Sequence, residues 1–276
     1  MTSKIESPLT SVVVPDEGGK PALEIEAGPR WSIWIDIEGF SVLWGKGGLA
    51  IAGLRALMSG IFAIGTRAYA GDGERLFAHQ FGDGFVIVGD FHEAALDRCA
   101  AIAVALMRHV TTAGCLARAA IAEGEFSDYS GCWPKEIRQK IERDQSDDVV
   151  ELGSGLMTLL PVMGTALINA NKLDSGNKIK GAVLTIRTAD ALRVSSSFPR
   201  REARDAAHLT MIDWVHATSP YIDEIIERAR IATVSSNQLR ASVRAYIANQ
   251  PDLSPAWLAG TTQYASLTET DDKVGA

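Results

Sequence analysis

The hydrophobic pattern of this chain changes period several times, and each change marks an element. Trp31, Ile33, Trp34 and Ile35 form a short apolar run that reads as a buried strand over residues 31–37. After a glycine-containing turn at 45–48, Leu54, Leu57, Met58, Ile61 and Phe62 recur at i, i+3, i+4, i+7 and i+8, which predicts an amphipathic helix over 49–69. AGDG at 70–73 reads as a turn. Residues 75–80 and 85–88 flank FGDG and read as a hairpin. Residues 91–111 return to a helical period, and 115–123 form a fourth strand.

The element order is therefore β-α-β-β-α-β. That is the ferredoxin-like plan of an α+β fold, in which two helices cover one face of an antiparallel sheet. Beyond it the pattern predicts a polar helix or excursion at 132–148, a short strand at 156–160, a helix at 163–175 and a strand at 181–186. A loop follows at 195–205, then a strand at 208–216. Pro220 opens a long helix over 220–248, at a position where its missing N–H costs least. Residues 1–30 carry Pro8, Pro15, Pro21, Pro29 and Gly18-Gly19, and read as a loosely ordered arm with a short strand at 11–14. The expected organisation is an arm at 1–30, a main domain at 31–217, a C-terminal helix at 218–250 and a mobile tail at 251–276.

Composition narrows the function. A net charge of −7 and a pI near 5.3 argue against a nucleic-acid binder, whose surface needs clustered Lys and Arg. A triphosphate carried by a metal remains compatible, because the metal screens its charge. Cys99, Cys115 and Cys132 have no metal-ligand spacing and read as reduced thiols of a cytoplasmic protein. The first twenty residues lack a signal-peptide core. The most apolar region, 49–64, is broken by Gly53, Arg55, Ser59 and Gly60, so no membrane span is expected.

Two carboxylates carry the chemistry. Asp36 ends an apolar strand, where a buried unpaired carboxylate is costly. Asp83 sits between Gly82 and Gly84 at the hairpin tip; alone it reads as an ordinary turn residue. In the βαββαβ plan the first strand lies beside that hairpin, so the two meet in space. Neighbouring carboxylates repel unless a cation lies between them, and a hard divalent ion with oxygen ligands is the natural answer. Phosphoryl or nucleotidyl transfer is the chemistry that most wants such a pair.

These motifs carry a resemblance. IDIEGFS (35–41) resembles the first metal motif of class III nucleotidyl cyclases, an apolar strand followed by Asp-Ile-x-Gly-Phe-Ser/Thr, and FGDGF (81–85) resembles their second. LARAAIAEGEF (116–126) is similar to the family strand Arg-x-Gly-Ile-x-x-Gly, and MGTALINANKLDS (163–175) to a late helix ending in Ala-x-Arg-Leu. The likeness covers about residues 31–187 and implies a catalytic domain within 31–217. It implies that Asp36, Asp83 and the Ile37 carbonyl hold two Mg²⁺ or Mn²⁺ ions. It further implies that the N–H groups of Gly39, Phe40 and Ser41 cradle the triphosphate, and that the ribose 3′-oxygen attacks the α-phosphate and expels pyrophosphate. Sites in this family form between two catalytic domains, which implies a homodimer.

The chain also departs from the family. Where its members carry Lys for ATP or Glu for GTP, four residues before the second Asp, this chain has His79; where they carry Asp or Cys, it has Pro161. Neither purine-reading pair is present, whereas His79 can serve a pyrimidine edge through one hydrogen bond. As a plain strand residue, His79 equally reads as solvent-facing or as packed on a neighbour. The family's Asn and Arg fall on Ile168 and Lys172. Asn169 and Asn171 lie close by, and Lys172 keeps a charge that could stabilise the transition state without the fork of Arg. Lys172 reads equally as a solvated helix charge. Arg200 and Arg201 are candidates for phosphate contact, but a solvated basic loop is the stronger reading. These features resemble the pyrimidine cyclases of the bacterial Pycsar anti-phage branch. That resemblance implies UTP before CTP as substrate, and a cyclic product read by a separate effector protein. An adenylate cyclase with an atypical base pocket, and a non-catalytic nucleotide-sensing or dimerisation module, are the competing readings.

Overall fold

The computed structural model describes residues 29–45, 48–70, 76–89, 93–144, 149–160, 162–175, 179–203, 206–265 and 267. Of the expected arm at 1–30, residues 1–28 lie outside the described residues, as do 71–73 of the turn expected at 70–73 and Pro161; Arg30 of the arm already belongs to the first strand. In chain order, β1 (Arg30–Ile37), α1 (Phe40–Trp44), α2 (Leu49–Ala63), β2 (Leu76–Phe81), β3 (Gly84–Gly89), α3 (Asp97–Thr112) and β4 (Ala117–Gly124) come first. Next are β5 (Ser127–Asp128), α4 (Lys135–Asp144), the β6 (Val149–Leu152) and β7 (Gly155–Thr158) hairpin, β8 (Val162–Met163) and α5 (Thr165–Ser175). The chain finishes with β9 (Leu184–Arg187), α6 (Thr188–Ala191), β10 (Arg200–Glu202), β11 (Leu209–Ile212), α7 (Pro220–Ala229), α8 (Ser236–Ala248) and α9 (Pro255–Tyr264).

The first four main strands pair in the order β4-β1-β3-β2, all antiparallel, which is the βαββαβ arrangement. β9 joins parallel to β4, and β11 and β10 extend the sheet to seven strands. β1 alternates as a strand must: Trp31, Ile33, Ile35 and Ile37 are buried in the main core, while Ser32, Trp34 and Asp36 take the other face, on which α5 lies. The fold is therefore α+β with a ferredoxin-like core.

The helices differ from expectation in instructive ways. The buried side of α2 is Ala50, Gly53, Leu57, Gly60 and Ala63, whereas Met58 and Phe62 are exposed. Close approach to α3 selects this small-residue face, since a Cβ on Gly60 would meet Leu106 at 2.9 Å. α2 continues as one π-helical segment, Ile64–Ala68. The combined helix Leu49–Ala68 is long and apolar enough by length and composition to cross a membrane, and it packs on α3 and β1. α3 is buried nearly all round, because α7 and α8 cover the side away from the sheet.

The single helix expected over 220–248 is two. α7 ends at Arg230, whose φ of 55° is left-handed, and α8 restarts at a Ser235–Gln238 capping box. The expected mobile tail contains α9, capped by Ser254 with Pro255 in its first turn, and Trp257, Tyr264 and Leu267 are buried. The strand expected at 156–160 appears as β7, one residue earlier and shorter; its hairpin partner β6 and the strand β10 were not expected, and their residues are mostly exposed with no alternating apolar signal.

Candidate functional site

The site begins where β1 stops. Asp36 pairs in register with Gly84 of β3 on one side and with Arg118 of β4 on the other. The β2–β3 turn, with Gly82 at φ 63°, therefore brings Asp83 alongside Asp36. After Ile37 the chain turns through Gly39, whose φ of 72° favours a residue without Cβ, and enters α1. The N–H groups of Phe40 and Ser41 lie in the first turn of that short helix, ahead of its internal hydrogen bonds. A cavity of about 450 Å³ opens here. Asp36, Ile37, Gly39, Phe40, Ser41 and Asp83 all line it.

Glu38, Arg118, Asp174, Ser175 and Lys180 complete the lining. Arg118 is buried and donates from Nε to the Asp174 carboxylate at 2.5 Å and from Nη2 to the Asp174 carbonyl at 2.5 Å. The Glu38 carboxylate accepts from the Trp257 indole N–H at 2.7 Å. Four carboxylates thus share the cavity with two cations. Burial pushes the Asp36 carboxyl up to about 7, helped by repulsion from Asp174 and Glu38, opposed by Arg118, with a last contribution from Asp83. Burial likewise raises Glu38 and Asp174, against the pull of Arg118 on both.

This excess of negative charge and the all-oxygen donor set fit a hard divalent cation. Among the described residues, no three His, Cys, Asp or Glu side chains are grouped closely enough to hold an ion by themselves. Asp36 and Asp83 supply two carboxylates, which is what Mg²⁺ uses when substrate phosphates provide the rest.

The other expected site residues lie elsewhere in the chain. α5 turns Ala166, Ala170 and Leu173 toward the sheet, so Lys172 faces solvent and Ile168 is 42% exposed. The Asn169 side chain donates to the Glu123 carbonyl at 2.8 Å, toward the far end of β4. Neither Lys172 nor Asn169 borders the cavity of its own chain. His79 lies in register with Val86, which pairs with Trp34, so it shares the sheet face of Asp36 one row further back. Its ring packs 6.3 Å from Phe126, and its buried Nε2 has no hydrogen-bond partner among the described residues. Burial lowers its pKa, favouring the neutral imidazole. Leu160 and Val162, either side of residue 161, pack in the same small cluster as Phe126.

Sequence reasoning assigned no part in the cavity to Arg118, Asp174, Lys180 or Glu38. A lone Arg within LARAAIA carries the same signal as Asp36, a charge in an apolar strand. Asp174 and Lys180 carry none.

No family model matches the chain, and no curated protein does. Solved structures similar to it include a bacterial light-regulated adenylyl cyclase (11% identity, TM-score 0.38, covering 82% of this chain and 59% of that one). The non-canonical dimeric guanylyl cyclase domain of the RhoGC fusion protein from the aquatic fungus Blastocladiella emersonii is another (13% identity, TM-score 0.41, 67% and 94%). A third is the catalytic core of a rhodopsin–guanylyl cyclase with converted specificity in complex with ATPαS (13%, TM-score 0.40, 67% and 93%). The chain thus spans less than two thirds of the first of these.

Proposed function

We propose that this chain is a divalent-metal-dependent nucleotidyl cyclase that converts a ribonucleoside triphosphate, UTP before CTP, to its 3′,5′-cyclic monophosphate and pyrophosphate. The observation that carries the reading is a single cavity that both acidic motifs enter. Asp36 and Asp83 meet there with the Ile37 backbone and the Gly39-Phe40-Ser41 turn. Bound by Asp36 and Asp83, divalent ions would activate the ribose 3′-oxygen and neutralise the leaving pyrophosphate. The first-turn N–H groups of Phe40 and Ser41 offer donors to the triphosphate, and Arg118 and Lys180 place positive charge on the same walls. His79 and the segment around Pro161 supply the base end, where a neutral imidazole can read a pyrimidine edge. Lys172 and Asn169, turned away from the cavity of their own chain, act on a second chain's cavity in a homodimer. The protein works in the cytoplasm, and a separate effector reads its product in defence against phage.

The test is to incubate the purified protein with Mn²⁺ and each of the four ribonucleoside triphosphates and to separate the products. A cyclic pyrimidine nucleotide, lost in Asp36→Ala and Asp83→Ala, is the expected result. A cyclic purine product would replace the pyrimidine reading with an adenylate or guanylate cyclase. No product from any triphosphate would refute catalysis and leave a nucleotide-sensing module, a reading favoured by the engagement of Asn169 on the Glu123 carbonyl.

A further inference from the structure

The C-terminal helices reach back to the acidic cavity from more than two hundred residues away. Glu38 is held at three points. Its N–H donates to the Leu116 carbonyl at 2.9 Å. Its carbonyl accepts from the Tyr246 hydroxyl of α8 at 3.4 Å. Its carboxylate accepts from the Trp257 indole of α9 at 2.7 Å. Tyr246 and Trp257 stack with centroids 5.9 Å apart, and both are buried. The two rings thus form one block under the turn that carries Gly39, Phe40 and Ser41.

α9 also touches a second segment of the cavity's rim, at Lys180. The Thr261 hydroxyl accepts from the Ala182 N–H at 3.0 Å. Gly260 lies so close to the Lys180 carbonyl that a Cβ there would stand 2.0 Å from it. Gly181, at φ 104°, is pressed against the Thr261 side chain and the Trp257 carbonyl. One ten-residue helix therefore contacts both Glu38 and the Lys180 segment, and both line the cavity.

We infer that α9 is a brace that fixes these two segments of the cavity's rim relative to each other, with Trp257 as the positioning residue that holds the turn after β1. The indole N–H makes a charge-assisted bond to Glu38, stronger than a neutral one. It sets where the Glu38 charge lies beside Asp36 and how the amides of the turn are aimed. Outer residues that orient a metal site in this way commonly change metal affinity by about ten- to a hundredfold when removed.

The brace rests on contacts within this chain, while its consequence for metal binding rests on the proposed function, and the test separates the two. Hydrogen exchange of the metal-free full chain is compared between wild type, Trp257→Phe and Tyr246→Phe, with Mn²⁺ titrations followed by electron paramagnetic resonance and thermal melts alongside. Tyr246→Phe removes only the hydroxyl, whereas Trp257→Phe keeps an aromatic ring in place but removes the N–H together with part of the buried indole. In Trp257→Phe, exchange should rise at least about threefold at residues 38–42 and at Ala182, with β3 unchanged, and Mn²⁺ affinity should fall about tenfold. Unchanged exchange at both segments would overturn the brace. Faster exchange with unchanged Mn²⁺ affinity would overturn the positioning role of Trp257. If wild type binds no Mn²⁺ the cavity reading fails, and exchange still decides the brace. Should Trp257→Phe not fold, Tyr246→Phe, which loses one 3.4 Å bond, carries the same comparison.

Discussion

The two ends of the sheet face that bears Asp36 are built differently. At the metal end, charged side chains from β1, the β2–β3 turn, β4 and α5 converge, and Arg118–Asp174 and Trp257–Glu38 hold them in place. At the base end, around His79, the surroundings are Phe77, Phe126, Val88 and Val162, and a buried imidazole nitrogen has no partner among the described residues. At the first end the charged side chains are paired and positioned by contacts within one chain. At the second, the His79 Nε2 is without a hydrogen-bond partner among the described residues. Under the proposed function, local geometry positions the metal-holding carboxylates, whereas base choice is left to His79 and the group that meets it.

The largest test of that contrast is Asp36→Asn. It should abolish Mn²⁺ binding and lower turnover by at least about a hundredfold, measured by Mn²⁺ titration and product formation. It should also stabilise the metal-free protein at alkaline pH. Because the folded Asp36 titrates near 7 rather than 3.8, the native state keeps a proton that the unfolded chain has lost. Stability of the wild type therefore falls as pH rises between those values. The gain in melting temperature from the substitution should be about 5 °C above neutrality and fade towards about pH 4. A gain that grew on acidification would break the account of the metal end.

Next in size is Arg118→Ala. It leaves Asp174 buried without its cation and should cost about 3–5 kcal/mol in urea denaturation. A loss under 1 kcal/mol would show that the ion pair does not organise this end. The base end should answer with the opposite sign. His79→Phe removes an unpartnered buried nitrogen and should raise stability by about 1 kcal/mol, while changing the ranking of the four triphosphates and leaving Mn²⁺ affinity alone. Unchanged ranking would remove His79 from base reading. Smallest is Lys172→Ala, on an exposed helix position, with a stability change within about 0.5 kcal/mol. Mixed in equal amounts with Asp36→Ala chains, it should restore up to about a quarter of wild-type activity if each site draws on two chains. No recovery would exclude Lys172 from a shared site.

Much of this was legible in the chain. The period changes marked β1, α2, the β2–β3 hairpin and β4 in order; Asp36 stood out as a charge in an apolar strand, and Asp83, an ordinary turn residue alone, gained meaning once the topology set it beside Asp36. The core side of α2 was not legible, since close packing of Gly60 on α3 and of Gly53 on Cys115 and Ile37 favoured small residues over larger ones of the periodic stripe. The break at Arg230 was hidden because a non-glycine residue takes the left-handed conformation there. α9 carried a readable start, Ser254-Pro255, obscured by Pro251 a few residues earlier. The Trp257–Glu38 bond spans 219 residues, and no local pattern could have announced it.

Arg108 has a consequence of a practical kind. Its buried guanidinium donates to the carbonyls of Trp214, Val215 and Ala217, just where the chain leaves the sheet for α7. A polypeptide ending at residue 217, the expected domain boundary, would free that exit to fray and uncover the side of α3 on which Arg108 lies. A boundary drawn at residue 217 therefore cuts through packed core, since α7 and α8 lie against α3 beyond it.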